Sequence, residues 1–509
     1  MPEPSEHGPA NPVAPRKPGE TGGGITGLPT APAPGQVLSP EAIASASQAK
    51  PKWDRKIRVK MKNADPKERV KDYEEVVLGY TREEAMIEAS RCLDCKEKPC
   101  MYACPSLLDV PAYMMEVKKG NFDKALEIIT ECYPLPHTLG RVCPHPCEDV
   151  CTAGIKGDAC AIMFVKRSAA DYATKFPEIR LPPPTGKKVA VIGSGPSGLA
   201  AAVELRKKGH DVTVFESTDR IGGWLSQGLP KYRLPPRIFQ QEVDWIRSLG
   251  VQIVTGKALG RDFTLKDLRD GGWSAVFVAV GAHEPRLLKL PGEELPGVQH
   301  AVPFLKSIEW GRQVEVGKNV VVIGGGSVSI DAARNALRNG AQRVTIVYRR
   351  GRRQMPAQPE EVEEAKEEGI RFLLHTTPTR FIGDANGRVK FVECIQLGLG
   401  PPDESGRPVP IPIEDSQFII AADTVIIAIG QLVTEPNRPL DGELRMDRYG
   451  NILVDDEFKT SVDGVWSAGD AVTGPETVVV AVGTGKKAAA HINQFLFNGH
   501  APPKAPQEA

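Results

Sequence analysis

Short apolar runs and longer helical patterns alternate through most of the chain. Residues 189–192 form a continuous apolar run that predicts a buried strand, and residues 199–205 predict the helix that follows it. Residues 212–215 predict a second strand, which ends at the acidic Glu216. The same order of strand, helix and strand begins again at Val320. These two units predict an α/β fold with two Rossmann-like nucleotide-binding domains built on parallel sheets.

The end of each nucleotide-binding unit is also repeated. Residues 275–282 read AVFVAVGA and residues 422–431 read ADTVIIAIGQ, so each unit closes with a strand and a small-residue turn. A last strand ends at Gly469 and Asp470, and residues 477–490 predict a helix of small residues. The acidic run 360–368 predicts a helix with a solvated face, and 401–410 a surface hairpin loop.

The region before these domains has an interrupted helical pattern, and we assign residues 51–180 to an α-helical domain. Thr81 and Glu84 have capping-box spacing, and residues 121–133 are apolar at helical intervals. Residues 182–184 are three prolines, which predict a stiff linker. Residues 1–50 are rich in Pro, Gly, Ala and Ser, which predicts a disordered or extended tail, or alternatively an arm around a partner; 498–509 predicts a second tail.

Composition narrows the classes of function. The 509 residues contain 64 Lys and Arg and 64 Asp and Glu, and this zero net charge argues against a general nucleic-acid or anionic-membrane binder. No apolar run reaches the roughly 18 residues of a membrane span, and the first residues show no apolar segment behind a basic start, so we expect no secretory signal. We therefore expect a cytoplasmic protein.

The first glycine motif predicts a dinucleotide site. Gly193, Gly195 and Gly198 follow a predicted strand and open a predicted helix, with an acid at the end of the next strand. The glycines permit a tight turn, close approach of a pyrophosphate and close packing of helix on strand. The pyrophosphate binds free N–H groups at the helix N-terminus. Glu216 is expected to accept hydrogen bonds from ribose hydroxyls.

The second glycine motif differs from the first at two points. Ser329 stands where the third glycine is expected, and its small side chain still allows close packing. Tyr348 takes the place of the acid, and Arg349 and Arg350 follow it. Arginines at this position accommodate the 2′-phosphate of NADP(H), so this site is predicted to prefer NADP(H) to NAD(H). The alternative is that the arginines are only a solvated strand end.

Nine of the ten cysteines lie between Cys92 and Cys160, and seven of these form two staggered runs. The first run is Cys92, Cys95, Cys100 and Cys104, and the second is Cys143, Cys147 and Cys151. In two-cluster ferredoxins the last cysteine of a run binds the other cluster. On this basis we predict one [4Fe–4S] cluster on Cys104, Cys143, Cys147 and Cys151. A second cluster is predicted on Cys92, Cys95 and Cys100, with Cys160 as the nearest candidate for its fourth ligand and Cys132 as the weaker candidate.

Zinc, disulfides and a thiol relay fit the cysteine spacing less well than clusters do. Structural zinc also uses four cysteines, but it favours two C-x-x-C pairs over staggered triplets. A disulfide framework conflicts with the expected cytoplasmic location. A thiol relay beside a flavin needs a cysteine pair in a nucleotide-binding domain, where Cys394 stands alone.

Taken together, these motifs resemble one family, the small (β) subunits of NADPH-dependent glutamate synthase. The resemblance covers about residues 73–497 and includes the two cysteine runs, GSGPSG, GGWL, VYRR and AGDAVTGPETVVVAVGTGKKAA. The same unit occurs in the N-terminal part of dihydropyrimidine dehydrogenase and in the large subunit of NADH-dependent ferredoxin:NADP oxidoreductase. The family implies a helical domain with two [4Fe–4S] clusters, then an FAD domain at 181–305 and 440–497 that an NADP(H) domain at 306–439 interrupts.

The resemblance also implies site residues. Those expected to bind FAD are Gly193, Gly195, Pro196, Ser197, Gly198, Glu216, Gly223, Trp224, Leu225, Gly469, Asp470 and Thr477. Those expected to bind NADP(H) are Gly324, Gly326, Ser327, Val328, Arg349 and Arg350. This chain departs from the family at one position: relatives supply a Glu or Gln cluster ligand where Lys166 stands here, and an ammonium cannot bind iron. Cys160 either substitutes for that ligand or the cluster is held less firmly.

The expected activity is electron transfer between NADP(H), FAD and iron–sulfur clusters, for which no acid–base or nucleophilic catalytic residue is required. The chain has no glutaminase-like region, so its electrons are expected to pass to another oxidoreductase subunit or to ferredoxin in a hetero-oligomer. One alternative is a stand-alone NADPH:ferredoxin-type reductase. Another is a non-catalytic assembly subunit that keeps the fold.

Overall fold

A computed structural model describes residues 55–403, 406–433 and 442–498. The predicted tails at 1–50 and 498–509 lie outside these residues, apart from Asn498, which ends the last helix. The first described region is built of short helices joined by loops. These helices are α1 (Pro66–Arg69), α2 (Arg82–Ala89), α3 (Pro99–Tyr102), α4 (Val110–Lys118), α5 (Phe122–Cys132), α6 (Pro136–Val142), α7 (Pro146–Asp149) and α8 (Ile162–Tyr172).

Local sequence accounts for the ends and faces of these helices. Thr81 and Glu84 form the predicted capping box at the start of α2, each side chain accepting a hydrogen bond from the other's backbone N–H. Helix α5 buries Phe122, Leu126 and Ile129 on one face and ends just before Pro134. The helices pack around α8, most of which is buried. This packing fixes the positions of the loops between the helices, which carry the cysteines.

The first nucleotide-binding domain begins with a parallel sheet. Its elements are β1 (Lys188–Ile192), α9 (Pro196–Lys207), β2 (Asp211–Phe215), α10 (Trp224–Gln227), α11 (Pro236–Ser248), β3 (Gln252–Val254), α12 (Leu265–Asp270), β4 (Ala275–Val278) and β5 (Glu284–Pro285). Strand β1 lies between β2 and β4, and all three run parallel. The predicted strand–helix–strand unit is therefore confirmed, with the glycine motif at the carboxyl end of β1.

The second domain repeats this arrangement. Its elements are β6 (Val298–His300), α13 (Ala301–Glu309), β7 (Asn319–Ile323), α14 (Ser327–Arg338), β8 (Arg343–Tyr348), α15 (Pro359–Glu367), β9 (Arg371–Leu374), β10 (Thr376–Gly383), β11 (Val389–Pro402), β12 (Pro408–Pro412), β13 (Phe418–Ala421), β14 (Thr424–Ile427) and β15 (Gln431–Leu432). The parallel order is β6-β14-β7-β8-β9. Strand β6 and helix α13 pack on this second sheet, so the predicted boundary at 305/306 falls inside α13 and is placed too late.

A third, antiparallel layer consists of β10 to β13 and was not predicted. Strand β11 is 14 residues long and pairs with β10, β12 and β13. The predicted surface loop at 401–410 is the turn between β11 and β12, and residues 404–405 in it lie outside the described part of the chain. This layer adds a hairpin beside the end of β8, next to Arg349 and Arg350.

The chain then returns to the first domain. Strand β16 (Val465–Ser467) pairs parallel with β4, and α16 (Asp470–Thr473) and α17 (Val478–Asn498) follow. Helix α17 packs along α9, where a Cβ on Gly485 would come within 2.3 Å of the Ser197 carbonyl oxygen. This contact requires glycine. No helix among the described residues is both long and apolar enough to cross a membrane.

Helix α15 differs from its prediction as a solvated acidic face. One side of it is paired with buried arginines: Glu364 and Glu368 with Arg334, and Glu368 with Arg338. Glu368 also accepts a hydrogen bond from Arg69 of α1. The acidic run therefore joins the helical domain to the second nucleotide-binding domain.

Candidate redox site

A cavity of about 320 Å³ opens at the carboxyl ends of β1 and β4 in the first domain. Its wall includes the glycine motif, Trp224, His283 and Asp470, together with Thr477 and the start of α17. Residues from the start and the end of the chain's first nucleotide-binding domain thus meet around one space. Every residue that the sequence assigned to the first dinucleotide lines this cavity except Gly198 and Gly469.

Gly198 and Gly469 do not line the cavity, but each allows close packing of the segments that form its wall. Gly198 packs its helix on β1, since a Cβ there would come within 1.9 Å of the Gly193 carbonyl oxygen. Gly469 has a φ of +69°, and a Cβ on it would meet Ser197 at 2.8 Å. By contrast, a Cβ on Gly195 would meet no atom within 4 Å. The space beside Gly195, at the N-terminus of α9, suits a pyrophosphate that binds helix N–H groups.

Unpartnered polar atoms around the cavity fit a polar ligand. Ser197 Oγ, Thr477 Oγ1 and His283 Nδ1 are buried and have no hydrogen-bond partner among the described residues. Buried polar groups are normally hydrogen-bonded, so these three fit hydroxyl, phosphate or ring atoms of a dinucleotide. Burial, with a smaller effect of Lys306, lowers the pKa of His283 to about 3, so its imidazole is neutral at physiological pH.

Glu216 lines the cavity, but its carboxylate is already occupied. Oε2 accepts hydrogen bonds from the backbone N–H and hydroxyl of Ser194, and Oε1 accepts them from Ser217 and Thr218. A carboxylate has about four lone-pair sites, so few remain for a ribose. A ribose hydroxyl would therefore have to replace the Ser217 or Thr218 hydroxyl at Oε1.

Two charged groups give the cavity its electrostatics. Burial raises the pKa of Asp470 to about 7, although the N–H of Glu476 donates to its carboxylate. Lys306, on α13, reaches the cavity from the second domain, and burial lowers its pKa. Its position could not be read from a motif. His283 follows β4 directly, and a polar residue at the carboxyl end of a parallel strand is a signal that we could have used.

The second glycine motif forms the start of α14, where Gly324, Gly326, Ser327 and Val328 meet the end of β7. Tyr348 packs against Gly325, since a Cβ there would come within 2.4 Å of the tyrosine ring. The hydroxyl of Ser329 donates to the Gly326 carbonyl, which keeps the third motif position close-packed as expected.

The two predicted phosphate-binding arginines differ in their surroundings. Arg350 is buried, and its guanidinium donates to the Pro408 carbonyl and to Asp403, so it holds the β11–β12 hairpin. Arg349 is exposed and makes no hydrogen bond or ion pair within the described ranges. Partial desolvation and the nearby guanidinium groups of Arg350 and Arg407 lower the pKa of Arg349, although its side chain still reaches solvent. Arg407, which sequence reasoning missed because it lies in a hairpin turn, donates to Tyr348.

Five cysteines form what we call the outer cysteine group. Cys92, Cys95, Cys100, Cys151 and Cys160 line one small pocket in the helical domain. The thiol and backbone N–H of Cys160 both donate to Cys151, and the thiol's hydrogen bond, outweighing burial, lowers the pKa of Cys151 to about 6. Exposed apolar side chains, Leu93, Tyr102 and Ile155, lie on the loops that carry this group.

Three further cysteines form the inner cysteine group: Cys104, Cys143 and Cys147. Burial raises the pKa values of Cys143 and Cys147, and both are also influenced by the charges of Lys166 and Cys104. The predicted grouping is thus wrong for Cys151, which lies in the outer group. It is also wrong for Lys166, which faces the inner group and not Cys92, Cys95 and Cys100.

A structural repeat explains why the last cysteine of each run, Cys104 or Cys151, lies in the group formed mainly by the other run. Each run places a left-handed residue before a proline that starts a short helix: Lys98 (φ 43°) before α3, and His145 (φ 45°) before α7. Helices α3 and α7 pack against each other. Because both runs are built alike, each sends its last cysteine to the other group. From the sequence, we applied this exchange to Cys104 alone.

The inner cysteine group lies directly against the wall of the cavity. Cys104 is followed by Pro105 and Ser106, and a Cβ on Gly483 of α17 would come within 2.5 Å of the Pro105 carbonyl oxygen. Lys486 of α17 donates to the Ser106 carbonyl and to Cys132 Sγ. Helix α17 therefore separates the cavity from the inner group by one helix.

The cysteine geometry also bears on zinc. Within the described residues, no three His, Cys, Asp or Glu side chains converge closely enough to hold a single metal ion. Zinc needs four ligand atoms at about 2.0–2.3 Å from one centre. Thiolates around an iron–sulfur cluster stand further apart, because each binds a different iron.

Comparison with known protein families decides the identity. Residues 187–485 match the family described as pyridine nucleotide-disulphide oxidoreductase, and residues 69–177 match dihydropyrimidine dehydrogenase domain II, 4Fe-4S cluster. The chain belongs to the pyridine nucleotide-disulphide oxidoreductase family. Within this family it carries an additional N-terminal 4Fe–4S domain.

Related proteins share both parts of this oxidoreductase. The chain is 36% identical to the small chain of NADPH glutamate synthase of Azospirillum brasilense, covering 84% of this chain and 92% of that protein. It is 39% identical to NADPH-Fe(3+) oxidoreductase subunit beta of Geobacter sulfurreducens, covering 85% and 69%. The resemblance to the glutamate synthase small subunit is confirmed, and the chain is an NAD(P)H-dependent FAD and iron–sulfur oxidoreductase.

A solved structure shares the fold of the nucleotide-binding part. Mycobacterium tuberculosis FprA in complex with NADPH matches with a TM-score of 0.52 and 22% identity, covering 61% of this oxidoreductase and 84% of that chain. At this identity the likeness concerns the fold alone. It agrees with the two parallel sheets described above.

Proposed function

We propose that this oxidoreductase is the electron-input subunit of a larger cytoplasmic complex. NADPH binds the second domain and FAD the cavity, and two [4Fe–4S] clusters on the outer and inner cysteine groups conduct electrons to a partner oxidoreductase subunit. The contact of α17 with both the cavity and the inner group supports this proposal, because electrons would then pass between two neighbouring sites.

The fit of FAD to the cavity rests on the unpartnered groups there. FAD, when bound, exchanges a hydride with NADP(H) and exchanges single electrons with clusters. Ser197 and Thr477 would donate hydrogen bonds to it, and the N-terminus of α9 would hold its pyrophosphate. Trp224 and His283, whose ring centres are 6.2 Å apart, form an aromatic wall that excludes water from the ring side.

The 2′-phosphate of NADPH would bind between Arg349 and Arg407. The pKa of Arg349 is lowered partly by the neighbouring arginines, so an anion placed there relieves repulsion between like charges. Arg349 is exposed and can turn toward a ligand, and Arg407 is held in place by Tyr348 and the Gln354 carbonyl. Arg350 would act indirectly, by holding the hairpin that carries Arg407.

The cluster ligands follow from the two groups. Cys92, Cys95, Cys100 and Cys151 would bind the outer cluster, and Cys160 would donate a hydrogen bond to the Cys151 thiolate. Cys104, Cys143 and Cys147 would bind the inner one. Exposed Leu93, Tyr102 and Ile155 beside the outer group give a partner an apolar surface next to the last cluster.

The names of the relatives support a partner. The Azospirillum brasilense and Geobacter sulfurreducens proteins are a small chain and a subunit beta. NADP(+)-dependent formate dehydrogenase subunit beta of Moorella thermoacetica is 38% identical, and the chain spans 61% of its length. We propose that this chain is likewise one subunit of a hetero-oligomer. A glutamate synthase-type or ferredoxin-linked oxidoreductase is the partner class, and a stand-alone NADPH:ferredoxin-type reductase is the alternative.

The test is anaerobic reduction of the purified chain by NADPH, followed by absorbance. We expect bleaching of a bound flavin and then of iron–sulfur absorbance, with about eight irons per chain. NADH at the same concentration should act much more slowly. A bound flavin that NADPH does not reduce would contradict the proposal and favour the assembly subunit. Size-exclusion of the native protein from its source cells then separates a complex from a stand-alone reductase.

A further inference from the structure

The two cysteine groups are unequal in number. The outer group has five thiols for the four irons of a cluster, whereas the inner group has only Cys104, Cys143 and Cys147. Glu148, whose charge also acts on Cys143 and Cys147, is occupied, because its carboxylate accepts hydrogen bonds from the Arg58 guanidinium and the Met163 N–H. A four-iron cluster there would lack one protein ligand.

Lys166 takes the remaining side of the inner group. It lies on α8, is 5% exposed, and makes no hydrogen bond or ion pair within the described part of the chain. Its positive charge acts on both Cys143 and Cys147. A cationic side chain this little exposed is best stabilised by negative charge, which the thiolates and a bound cluster would supply. The ammonium has three donors and no lone pair, and it does not bind iron.

Two neighbouring groups support the same conclusion. The Tyr133 hydroxyl is fully buried without a hydrogen-bond partner, and the nearby groups that act on it include Cys104 and Cys143. A hydroxyl there can donate to a cluster sulfide. Cys132 is engaged elsewhere, because its thiol donates to the Ser106 carbonyl at 3.0 Å and lies 3.3 Å from Lys486 Nζ. It is thus not positioned as the fourth thiolate.

We propose that the inner cysteine group binds its cluster through three protein thiolates only, with Lys166 as a fixed charge partner at the fourth corner. The fourth iron is then held by a small ligand from solvent and can be lost. This inference rests on the iron–sulfur function proposed above. It assigns Lys166 a positioning and electrostatic role.

Loss of iron from the inner cluster requires an added oxidant that takes up one electron. One ferricyanide takes one electron from a [4Fe–4S]²⁺ cluster, which releases Fe²⁺ and leaves [3Fe–4S]⁺, while ferricyanide becomes ferrocyanide. The outer cluster, with four thiolates, has no open corner and keeps its iron. Lys166 would stabilise the more negative, reduced form of the inner cluster and so raise its reduction potential.

The test uses the full chain purified without oxygen, with iron analysis and electron paramagnetic resonance before and after one equivalent of ferricyanide. We expect release of about one iron per chain and the signal of an oxidised three-iron cluster. Lys166→Glu supplies a carboxylate ligand and should suppress the iron release and the three-iron signal. Lys166→Met should keep the iron release and the signal, and should lower the reduction potential of the inner cluster. Lys119→Met, an exposed lysine paired with Glu116 outside both cysteine runs, is the matched control and should change neither the iron release nor the potential.

Three results would overturn the proposal. The wild-type chain could keep all its iron and give no three-iron signal, which would mean that a fourth protein ligand exists. Lys166→Glu could leave the three-iron signal and the iron loss unchanged, and Lys166→Met could leave the reduction potential of the inner cluster unchanged. Together these two results would mean that the iron without a protein ligand is not beside Lys166. About four irons per chain before oxidation would remove the second cluster and with it the two-cluster function proposed above.

Discussion

Glu368 offers the sharpest test of how the helical and NADP(H) domains are joined. It follows α15, and its side chain is fully buried. Its carboxylate accepts hydrogen bonds from Arg69 (2.8 Å), Arg334 (2.6 Å) and Arg338 (2.9 Å). Replacing it with Gln keeps the shape and removes the negative charge that these arginines share.

The magnitude follows from the pKa. Burial acts to raise the pKa of Glu368, but the arginines outweigh it and lower the pKa from 4.5 to about 2. At about 1.4 kcal/mol per pKa unit, this difference corresponds to about 3 kcal/mol of stability at neutral pH. The loss of one partner from a buried ion pair independently suggests about 3–5 kcal/mol. We therefore expect Glu368→Gln to lower the free energy of unfolding by about 3 kcal/mol.

The assay is urea unfolding followed by tryptophan fluorescence, at pH values from 8 down to 4. Because the folded pKa is depressed, the stabilisation is complete above 4.5 and is lost as pH falls toward 2. The gap between wild type and Glu368→Gln should be constant from pH 8 to about 5.5 and begin to narrow below it. Glu363→Gln, which removes an exposed pair with Lys366, should cost less than about 0.5 kcal/mol. Equal losses for the two variants would refute the reasoning.

Three further predictions concern the nucleotide sites. Arg349→Gln should weaken NADPH binding by about 10- to 100-fold, measured by fluorescence titration, with little effect on NADH binding. The control variant Arg352→Gln should change the binding of NADPH or NADH by less than about twofold. Equal losses of NADPH and NADH binding in Arg349→Gln would contradict this prediction. Thr477→Val should weaken FAD by about fivefold in a refolding titration of the apoprotein, and no change would remove its hydroxyl from the site. Burial raises the pKa of Asp470 from 3.8 to about 7, so apoprotein stability should fall as pH rises through this range. Asp470→Asn should flatten that profile in thermal melts.

Local patterns were enough to predict most of the elements. The two glycine motifs and their strands were recognised because turn, helix and strand signals lie within about 30 residues of one another. The capping box of α2 and the apolar face of α5 are equally local. By contrast, β6 is three residues long and joins a sheet through partners that are far away in sequence, so the domain boundary was misplaced.

Sequence motifs did not predict the surroundings of Cys151 and Arg350. Each residue satisfies a motif, yet its neighbours are set by contacts across the fold: the repeat of α3 and α7 for Cys151, and the β11–β12 hairpin for Arg350. Spacing gives the type of residue at a site but not the direction in which its side chain turns. The acidic face of α15 shows the same limit, because its partner arginines lie on α1 and α14.

Gly483 has a consequence for the rate of electron transfer. Its missing side chain lets α17 touch the segment after Cys104, and a single methyl group there would reach 2.5 Å from the Pro105 carbonyl oxygen. On the electron route proposed above, from the cavity to the inner cysteine group, Gly483→Ala would push α17 away from the segment that follows Cys104. The distance between the two sites would lengthen, and electron transfer between them would slow.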